Sequence, residues 1–306
     1  MWQAAGQWAS RGDVPCGTLW QIGRFSNHFK RIQAILFAWY WRDMKMFTGS
    51  WDYTRFKKAF YAKTGLNLDC YKDKQMERRI RQMMLRENRP DFNLFYNYLS
   101  VNLPAMERFC HYLTINTSEF FRDGNVFNCL EKDVFPQLLK NYPQGLKIWS
   151  AGCSMGAEPL SIAIILHKLN ALRRAKVLAT DIDENVLMVA QKGCFNQRYL
   201  SKTPNNLLQR YFKKDGENYW IKDVLKKAVI FKKHNLLIDK PIPGCHMILC
   251  RNVFIYFKSE TQKLLLERFS CSLEPGGFLV IGSAEYINNP GKYGLSKLQN
   301  TIFQKQ

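Results

Sequence analysis

The sequence predicts an α/β protein in which a mostly parallel, doubly wound sheet with an antiparallel edge strand follows a small all-helical domain. Three observations predict this class. Residues 148–169 run from an apolar strand through a glycine-containing turn into a helix with a broad apolar face. Residues 176–183 form a second apolar strand that ends in carboxylates. Residues 52–113 carry apolar side chains at the three- and four-residue spacings of helices.

Composition limits the partners and the compartment. The 306-residue chain has a formal net charge of +20, which favours acidic partners such as nucleic acid, an anionic membrane surface or an acidic protein face. Its nine cysteines form no C-x-x-C pair and no zinc-type cluster. We therefore expect reduced thiols, no metal site and a cytoplasmic location. Apolar runs are too short for a membrane span, so no membrane insertion is expected.

The chain divides into three segments. Residues 1–45 hold scattered tryptophans and a short predicted helix at 27–41. We interpret them as an extension that is either disordered or an over-extended reading of the gene. Residues 46–115 form the predicted helical domain, and residues 116–306 form the predicted cofactor domain. Around 195–227 the alternation of strands and helices stops, and Asp215-Gly216 predicts a short hairpin in a small β-subdomain.

The middle helix of the helical domain, from Lys72 to Arg89, has a strongly basic outer face. Such a face is often only solvated. The sequence gives equal weight to that interpretation and to docking of an acidic partner surface. The basic side chains in question are Lys72, Lys74, Arg78, Arg79, Arg81 and Arg86.

The turn at 152–156 is either a simple tight turn or a ligand loop, because glycines let a ligand approach bare backbone. The second strand favours the ligand loop. Asp181 lies 25 positions after Gly156 (181 − 156), close to the roughly 20-residue spacing at which an acidic strand end meets a ribose. Asp183 is instead expected to cap the following helix. The glycines do not form G-x-G-x-x-G, so NAD is disfavoured and S-adenosylmethionine is favoured.

Two later strand ends place polar residues at the same edge of the sheet. Asn235 follows the strand 228–231 and is either an adenine contact or an ordinary turn residue. Asn252 follows the strand 245–249, at the end where ligands bind in open α/β sheets. Residues 275–277 predict a turn into a further strand, and residues 301–303 predict the antiparallel edge strand.

Residues 114–122, Thr-Ile-Asn-Thr-Ser-Glu-Phe-Phe-Arg, resemble the signature of CheR-type chemoreceptor glutamate O-methyltransferases. Met155 and Ala157 depart from that family's threonine and first glutamate, which lowers the expected affinity for the methionine end of the cofactor. The resemblance covers roughly residues 50–303, through the segments 149–159 (W-S-A-G-C-S-T-G-E-E-P in the family), 178–183 (L-A-T-D-I-D), 231–237 (F-x-x-x-N-L-L), 248–257 (I-F-C-R-N-V-x-I-Y-F) and 282–285 (G-x-S-E).

The resemblance implies a class I methyltransferase-like fold, with S-adenosylmethionine as cofactor and S-adenosylhomocysteine as its product. The implied substrates are glutamates of chemoreceptor cytoplasmic domains, which become methyl esters in chemotaxis adaptation. Family members can grip a receptor's C-terminal tether through a glycine-rich loop of the β-subdomain. This chain has only Gly216 there, so we expect a monomer that docks through the basic helix 72–89 instead. The cofactor-binding residues implied are Asn116, Ser118, Arg122, Glu158, Asp181, Asn235, Leu236, Asn252 and Val253.

The chemistry of a glutamate acceptor limits the catalytic residues. A glutamate side chain has a pKa of about 4.3 and is already an anion near neutral pH, so the reaction needs no general base. Alignment of the reacting atoms can supply on the order of 7–11 kcal/mol. Arg122 is the candidate that orients the carboxylate. Tyr256 is either a hydrogen-bond donor to its second oxygen or a core aromatic.

Two other functions are weighed against this one. A methyltransferase acting on nucleic acid would suit the positive charge. The sequence, however, has no zinc module, no aromatic–basic pattern of an RNA-reading strand and no Asn/Asp-Pro-Pro-Tyr/Phe motif, so no nucleic-acid partner is expected. A non-catalytic docking protein that keeps the cofactor fold is supported only by Ala157.

Overall fold

The computed structural model describes residues 51–114 and 118–306. The predicted extension 1–45, with its helix at 27–41, and the predicted cofactor residue Asn116 lie outside the described residues. Within the described part, no helix is both long and apolar enough to cross a membrane. The cysteines of this part are free thiols.

Four helices build the N-terminal domain around aromatic side chains. They are α1 (Tyr53–Thr64), α2 (Asp73–Arg86), α3 (Phe92–Val101) and α4 (Leu103–Leu113). Local chemistry sets the starts of three of them, because Asp52, Asp91 and Asn102 each accept a hydrogen bond from a backbone N–H of the first turn. The buried rings at the centre of the domain are those of Phe56, Phe60, Phe95 and Phe109.

The second domain contains a large sheet and a small one. The strands of the two sheets are β1 (Leu146–Ala151), β2 (Ala175–Asp181), β3 (Cys194–Asn196), β4 (Phe212–Asp215), β5 (Asn218–Ile221), β6 (Val229–Lys233), β7 (Cys245–Cys250), β8 (Leu273–Ile281), β9 (Leu295–Gln299) and β10 (Ile302–Lys305). Seven of them form one sheet in the order β6-β2-β1-β7-β8-β10-β9. The first five in this order are parallel, and β10 is antiparallel to both β8 and β9. The predicted mostly parallel sheet after a small helical domain is confirmed.

Two details of the sheet differ from the prediction. The strand predicted at 301–303 is β10, but it lies inside the sheet, and the outermost strand is β9. The turn predicted at 275–277 lies within β8, where pairing with β7 shifts its register between Cys245 and Met247. Proline and glycine there produce an irregularity in the strand rather than its beginning.

Helices cover both faces of the sheet. They are α5 (Gly124–Cys129), α6 (Phe135–Asn141), α7 (Ala157–Lys168), α8 (Glu184–Lys192), α9 (Asn205–Tyr211), α10 (Asp223–Lys226) and α11 (Ser259–Ser272). A π-helical turn, Leu130–Val134, joins α5 to α6. Because side chains alternate along a strand, Ile148 packs in the core that includes α7, whereas Trp149 packs on the other face with Phe269 of α11.

The β-subdomain is a separate three-stranded sheet in the order β3-β5-β4. Its hairpin turns at Gly216, with φ +57°, where Asp215-Gly216 predicts it. Phe120 packs edge-on against Phe195 and Phe212, with ring centroids 4.9 and 5.2 Å apart. The β-subdomain therefore positions the segment that leads from residue 118 to Arg122.

Candidate functional site

The loop after β1 requires glycine at two positions. Gly152 has φ +79°, and a Cβ there would lie 2.8 Å from Cγ2 of Val253. Gly156 has φ +83°, and a Cβ there would lie 2.8 Å from an alanine side chain of α8. The N–H groups of Gly152 and Cys153 both donate to the carbonyl of Thr180, so the loop is bound to the end of β2. These close approaches fit the ligand-loop interpretation.

Asp181 joins two turns at the carboxyl end of the sheet. Its Oδ2 accepts from the N–H of Ser154 at 2.8 Å, and its Oδ1 accepts from the N–H of Asp183 at 3.0 Å. Burial raises the pKa of Asp181, while these N–H donors oppose the shift. The carboxylate is thus fixed in place, and each oxygen keeps a further lone pair for a ligand hydroxyl.

Asp183 has a different task from Asp181. Its Oδ1 accepts from the N–H of Asn185 at 2.9 Å, which shows the predicted cap of α8. Its Oδ2 lies 2.8 Å from Nδ1 of His111 and accepts from Oγ1 of Thr114 at 3.1 Å. Asp183 therefore also connects the sheet-containing domain to the end of α4, which sequence reasoning missed.

A cavity of about 280 Å³ lies between these strand ends and the helical domain. The remaining described candidates, Ser118, Arg122 and Glu158, are not part of its lining. Six predicted site residues do line it: Asp181, Asn235, Leu236, Asn252, Val253 and Tyr256. The structure thus brings together residues that are up to 75 positions apart in the chain (256 − 181).

Three residues that line this cavity each have a buried polar atom with no hydrogen-bond partner among the described residues. One atom is Nε of Arg251, and the other two are Oγ of Ser154 and Nε2 of His234. Burial lowers the pKa of His234, which favours a neutral imidazole. A ligand with polar groups would satisfy the Ser154 and His234 atoms. Together with the carboxylate of Asp181, these groups fit the nucleoside of S-adenosylmethionine. Sequence reasoning missed Ser154 and His234, although each lies next to or within a segment that it identified.

The helical domain supplies the other side of the cavity. Its lining residues there include Leu66, Met76 and Leu113. Backbone hydrogen bonds join the two domains. The N–H of Lys72 donates to the carbonyl of Tyr256 at 2.9 Å, and the N–H of Lys258 donates to the carbonyl of Cys70 at 3.0 Å. In the sequence, Leu66, Met76 and Leu113 belong only to the apolar pattern of the helical domain, so their place in the cavity lining could not be predicted.

Asn235 shapes its own turn. Its Oδ1 accepts from the N–H of Leu237 at 3.0 Å, and its N–H donates to Oδ2 of Asp239 at 2.8 Å. Both interpretations left open by the sequence therefore describe part of its environment: Asn235 is a turn residue, and it lines the cavity. An adenine contact stays a prediction.

The turn at Asn252 is held by a buried carboxylate. Asn252 has φ +60°, and its N–H donates to Oε2 of Glu285 at 2.9 Å. Glu285 also accepts from the N–H of Gly282 at 2.6 Å and from that of Ile255 at 3.3 Å. Three backbone donors thus fix the position of this strand end before any ligand binds.

Glu158 is engaged by side chains of the protein. Its Oε1 accepts from Oγ of Ser150 at 2.7 Å, and its Oε2 lies 3.3 Å from Nη1 of Arg251. Burial raises the pKa of Glu158, and Arg251 and Ser150 oppose the shift. The structure therefore places Glu158 behind the cavity, where its contact with the cofactor stays a prediction.

Of the two catalytic candidates, Tyr256 lines the cavity, whereas Arg122 does not. Tyr256 is half-buried and ends the short 3₁₀ helix Phe254–Tyr256. Burial raises the pKa of its hydroxyl, while the positive charges of Arg79 and Arg122 oppose the shift. The positive charge around this hydroxyl favours an anionic acceptor.

The basic face of α2 is smaller than the sequence predicts. Arg79 is turned inward: it donates to the carbonyl of Tyr112, and its guanidinium lies 4.4 Å from the centroid of that ring. Arg81 pairs with Glu77 at 2.7 Å on the same helix. Placing Arg79 on the outer face was therefore wrong, because a pattern of charges does not show which neighbouring helix supplies an aromatic partner.

Comparison with known proteins matches both domains. Residues 116–302 match the family described as CheR methyltransferase, SAM binding domain, and residues 51–114 match CheR methyltransferase, all-alpha domain. The chemotaxis protein methyltransferase of Listeria innocua serovar 6a is 36% identical over 254 residues, which cover 83% of this chain and 97% of the relative. That of Borreliella burgdorferi is 30% identical over 269 residues, which cover 83% of this chain and 94% of the relative.

Proposed function

The chain belongs to the CheR family of S-adenosylmethionine-dependent methyltransferases, and we propose that it methylates glutamate side chains of chemoreceptor cytoplasmic domains. The product is a glutamate methyl ester that serves chemotaxis adaptation. The observation that carries the proposal is the position of Tyr256, which lines the cavity together with Asp181 and Asn252 and whose hydroxyl lies in the positive electrostatic field of Arg79 and Arg122. This arrangement suits an acceptor that arrives as an anion.

The side chains of this site act by position. When bound, S-adenosylmethionine supplies a methyl group on a sulfonium, so that a C–O bond forms as the C–S bond breaks and the electron pair stays on sulfur. Arg122 orients the acceptor carboxylate, and Tyr256 donates a hydrogen bond to the oxygen that does not react. Asp181, Asn235 and Asn252 bind the nucleoside end at the strand ends.

The receptor is expected to dock on the exposed part of the basic helix. Lys74 and Arg78 are exposed on α2, and their charges complement an acidic methylation region. The hairpin between β4 and β5 has a short turn with one glycine, Gly216. A grip on a C-terminal tether peptide is therefore not part of the proposal.

The ester chemistry provides the decisive experiment. The protein is incubated with methyl-labelled S-adenosylmethionine and chemoreceptor cytoplasmic fragments, and the product is exposed to mild base. We expect label on the receptor that is released as methanol, and no label on a fragment whose methylated glutamates are replaced by alanine. Label that enters only RNA, or that resists base, contradicts the proposal and favours methylation of nucleic acid or of nitrogen.

A further inference from the structure

The turn that carries Arg122 is strained on both sides. Phe121 has φ +53° and Asp123 has φ +61°, a left-handed conformation that side chains with a Cβ rarely adopt. The N–H of Phe121 donates to Oγ of Ser161 at 3.2 Å, which fixes the start of the turn. Such a turn persists only where surrounding groups determine it, so its far side needs a partner as well.

Arg251 is that partner. Its Nη2 donates at 2.7 Å to the carbonyl of Arg122 and at 2.7 Å to Oδ2 of Asp123, while its Nη1 lies 3.3 Å from Oε2 of Glu158. The side chain is 3% exposed, and its guanidinium lies 5.2 Å from the ring centroid of Phe127. One planar group thus connects the Arg122 turn to the first turn of α7.

We propose that Arg251 is a positioning residue, which holds the strained turn 121–123 and thereby aims Arg122 at the acceptor carboxylate. The role of Arg122 in this inference rests on the proposed function. The role of Arg251 in holding the turn does not depend on it. The fork geometry is essential, since a lysine ammonium is a point charge and cannot donate in fixed directions to a carbonyl and two carboxylates. The two ends of the guanidinium have different partners: Nη2 contacts the Arg122 turn, and Nη1 contacts Glu158.

The contact of Nη2 with the Arg122 turn can be weakened without changing the contact with Glu158. Asp123→Asn removes the charge of its partner, and asparagine tolerates the left-handed conformation at this position. Ser283→Ala is the matched control, because it removes a different hydrogen bond to the same atom: Oγ of Ser283 donates to Oδ2 of Asp123 at 3.2 Å. Arg251→Met and Arg251→Lys complete the set: methionine keeps packing on Phe127 without a donor, and lysine keeps the charge.

Two readouts decide the proposal in the full-length protein. In hydrogen exchange, Asp123→Asn and Arg251→Met should speed exchange in a peptide spanning 119–126 and leave one spanning 184–192 unchanged, whereas Ser283→Ala should change neither. In methylation of receptor fragments, kcat should fall about tenfold for Asp123→Asn, as for loss of one charge-assisted hydrogen bond, and about 100-fold for Arg251→Met. Arg251→Lys should recover only part of the loss. Binding of S-adenosylhomocysteine should be unchanged in Asp123→Asn.

Each outcome bears on a single claim. Unchanged exchange at 119–126 in Asp123→Asn, the mildest variant, overturns the holding role, and it does so even where Arg251→Met does not fold. Faster exchange with an unchanged kcat overturns the aiming of Arg122. A wild-type protein that fails to methylate receptor fragments contradicts the proposed function instead, and the exchange comparison still decides whether Arg251 holds the turn.

Discussion

The two sides of the cavity at the strand ends are built differently. The strand-end side presents Ser154, Asp181 and Asn252, whose backbone or side-chain groups are bound to carboxylates or N–H groups of neighbouring turns. The helical-domain side presents apolar side chains such as Leu66 and Met76. The strand-end side thus offers directed hydrogen bonds in fixed positions, whereas the helical side offers a surface that excludes water.

This difference assigns separate energetic roles to the two sides. Fixed polar groups bind a polar ligand without reorganisation, so each charge-assisted hydrogen bond contributes about 1.5–3 kcal/mol. Apolar contact contributes roughly 25 cal/mol for each Å² removed from water, and it is insensitive to exact placement. Substitutions on the strand-end side should therefore change cofactor binding more than substitutions on the helical side.

The largest effect is expected for Asp181→Asn. An amide cannot accept from both the N–H of Ser154 and that of Asp183, because its NH₂ group would face one of these donors. We expect the affinity for S-adenosylhomocysteine to fall by about 1.5–3 kcal/mol, roughly ten- to a hundredfold in Kd, as measured by calorimetry. Asp183→Asn is the control, which should lower the thermal stability but not the cofactor affinity. Equal losses of affinity in both variants would remove the distinction between these two carboxylates.

An intermediate effect is expected for Met76→Ala, on the helical side. The loss of about one buried methylene contact, roughly 0.8 kcal/mol, should weaken cofactor binding about fourfold. Met84→Ala is the matched control: both methionines belong to α2 and are buried in the same core, but only Met76 is among the residues lining the cavity. Equal shifts in Kd for the two variants would mean that the helical domain acts through its stability and does not form a side of the cavity.

The smallest effect on the cofactor is expected at the outer face of α2. Reversal of Lys74 and Arg78 to glutamate should leave Kd unchanged, yet lower methylation of receptor fragments roughly tenfold at low salt. The loss should shrink as salt rises, since exposed charges more than about 8 Å apart are screened near physiological ionic strength.

Lys213 and Lys214, exposed on β4, provide the control, since reversing them changes the net charge by the same amount. Deletion of the receptor's C-terminal tail should change little. If the β4 reversals or the tail deletion abolish methylation while the α2 reversals do not, the receptor docks on the β-subdomain.

Much of the fold could be predicted because its signals are local. The apolar run that ends at Asp181, the cap at Asp183 and the helical spacing of Phe56 and Phe60 each depend on residues within a few positions of one another. The chain order of strands and helices then predicts a mostly parallel sheet, and with it the edge where polar strand ends meet. The strand β9 was missed because its exposed polar residues lack a strong alternating pattern.

The sequence by itself determined the family, most of the order of the strands and helices, and six candidate residues that the structure brings to the cavity. The tertiary structure alone decided which side chains bind one another across the chain. Arg251 lies 128 positions from Asp123, and Asp183 lies 72 from His111. Arg79 packs on Tyr112 from another helix. Such pairs carry no local pattern, because they depend on the strand order and on how the helical domain packs against the sheet, which bring distant segments to one edge.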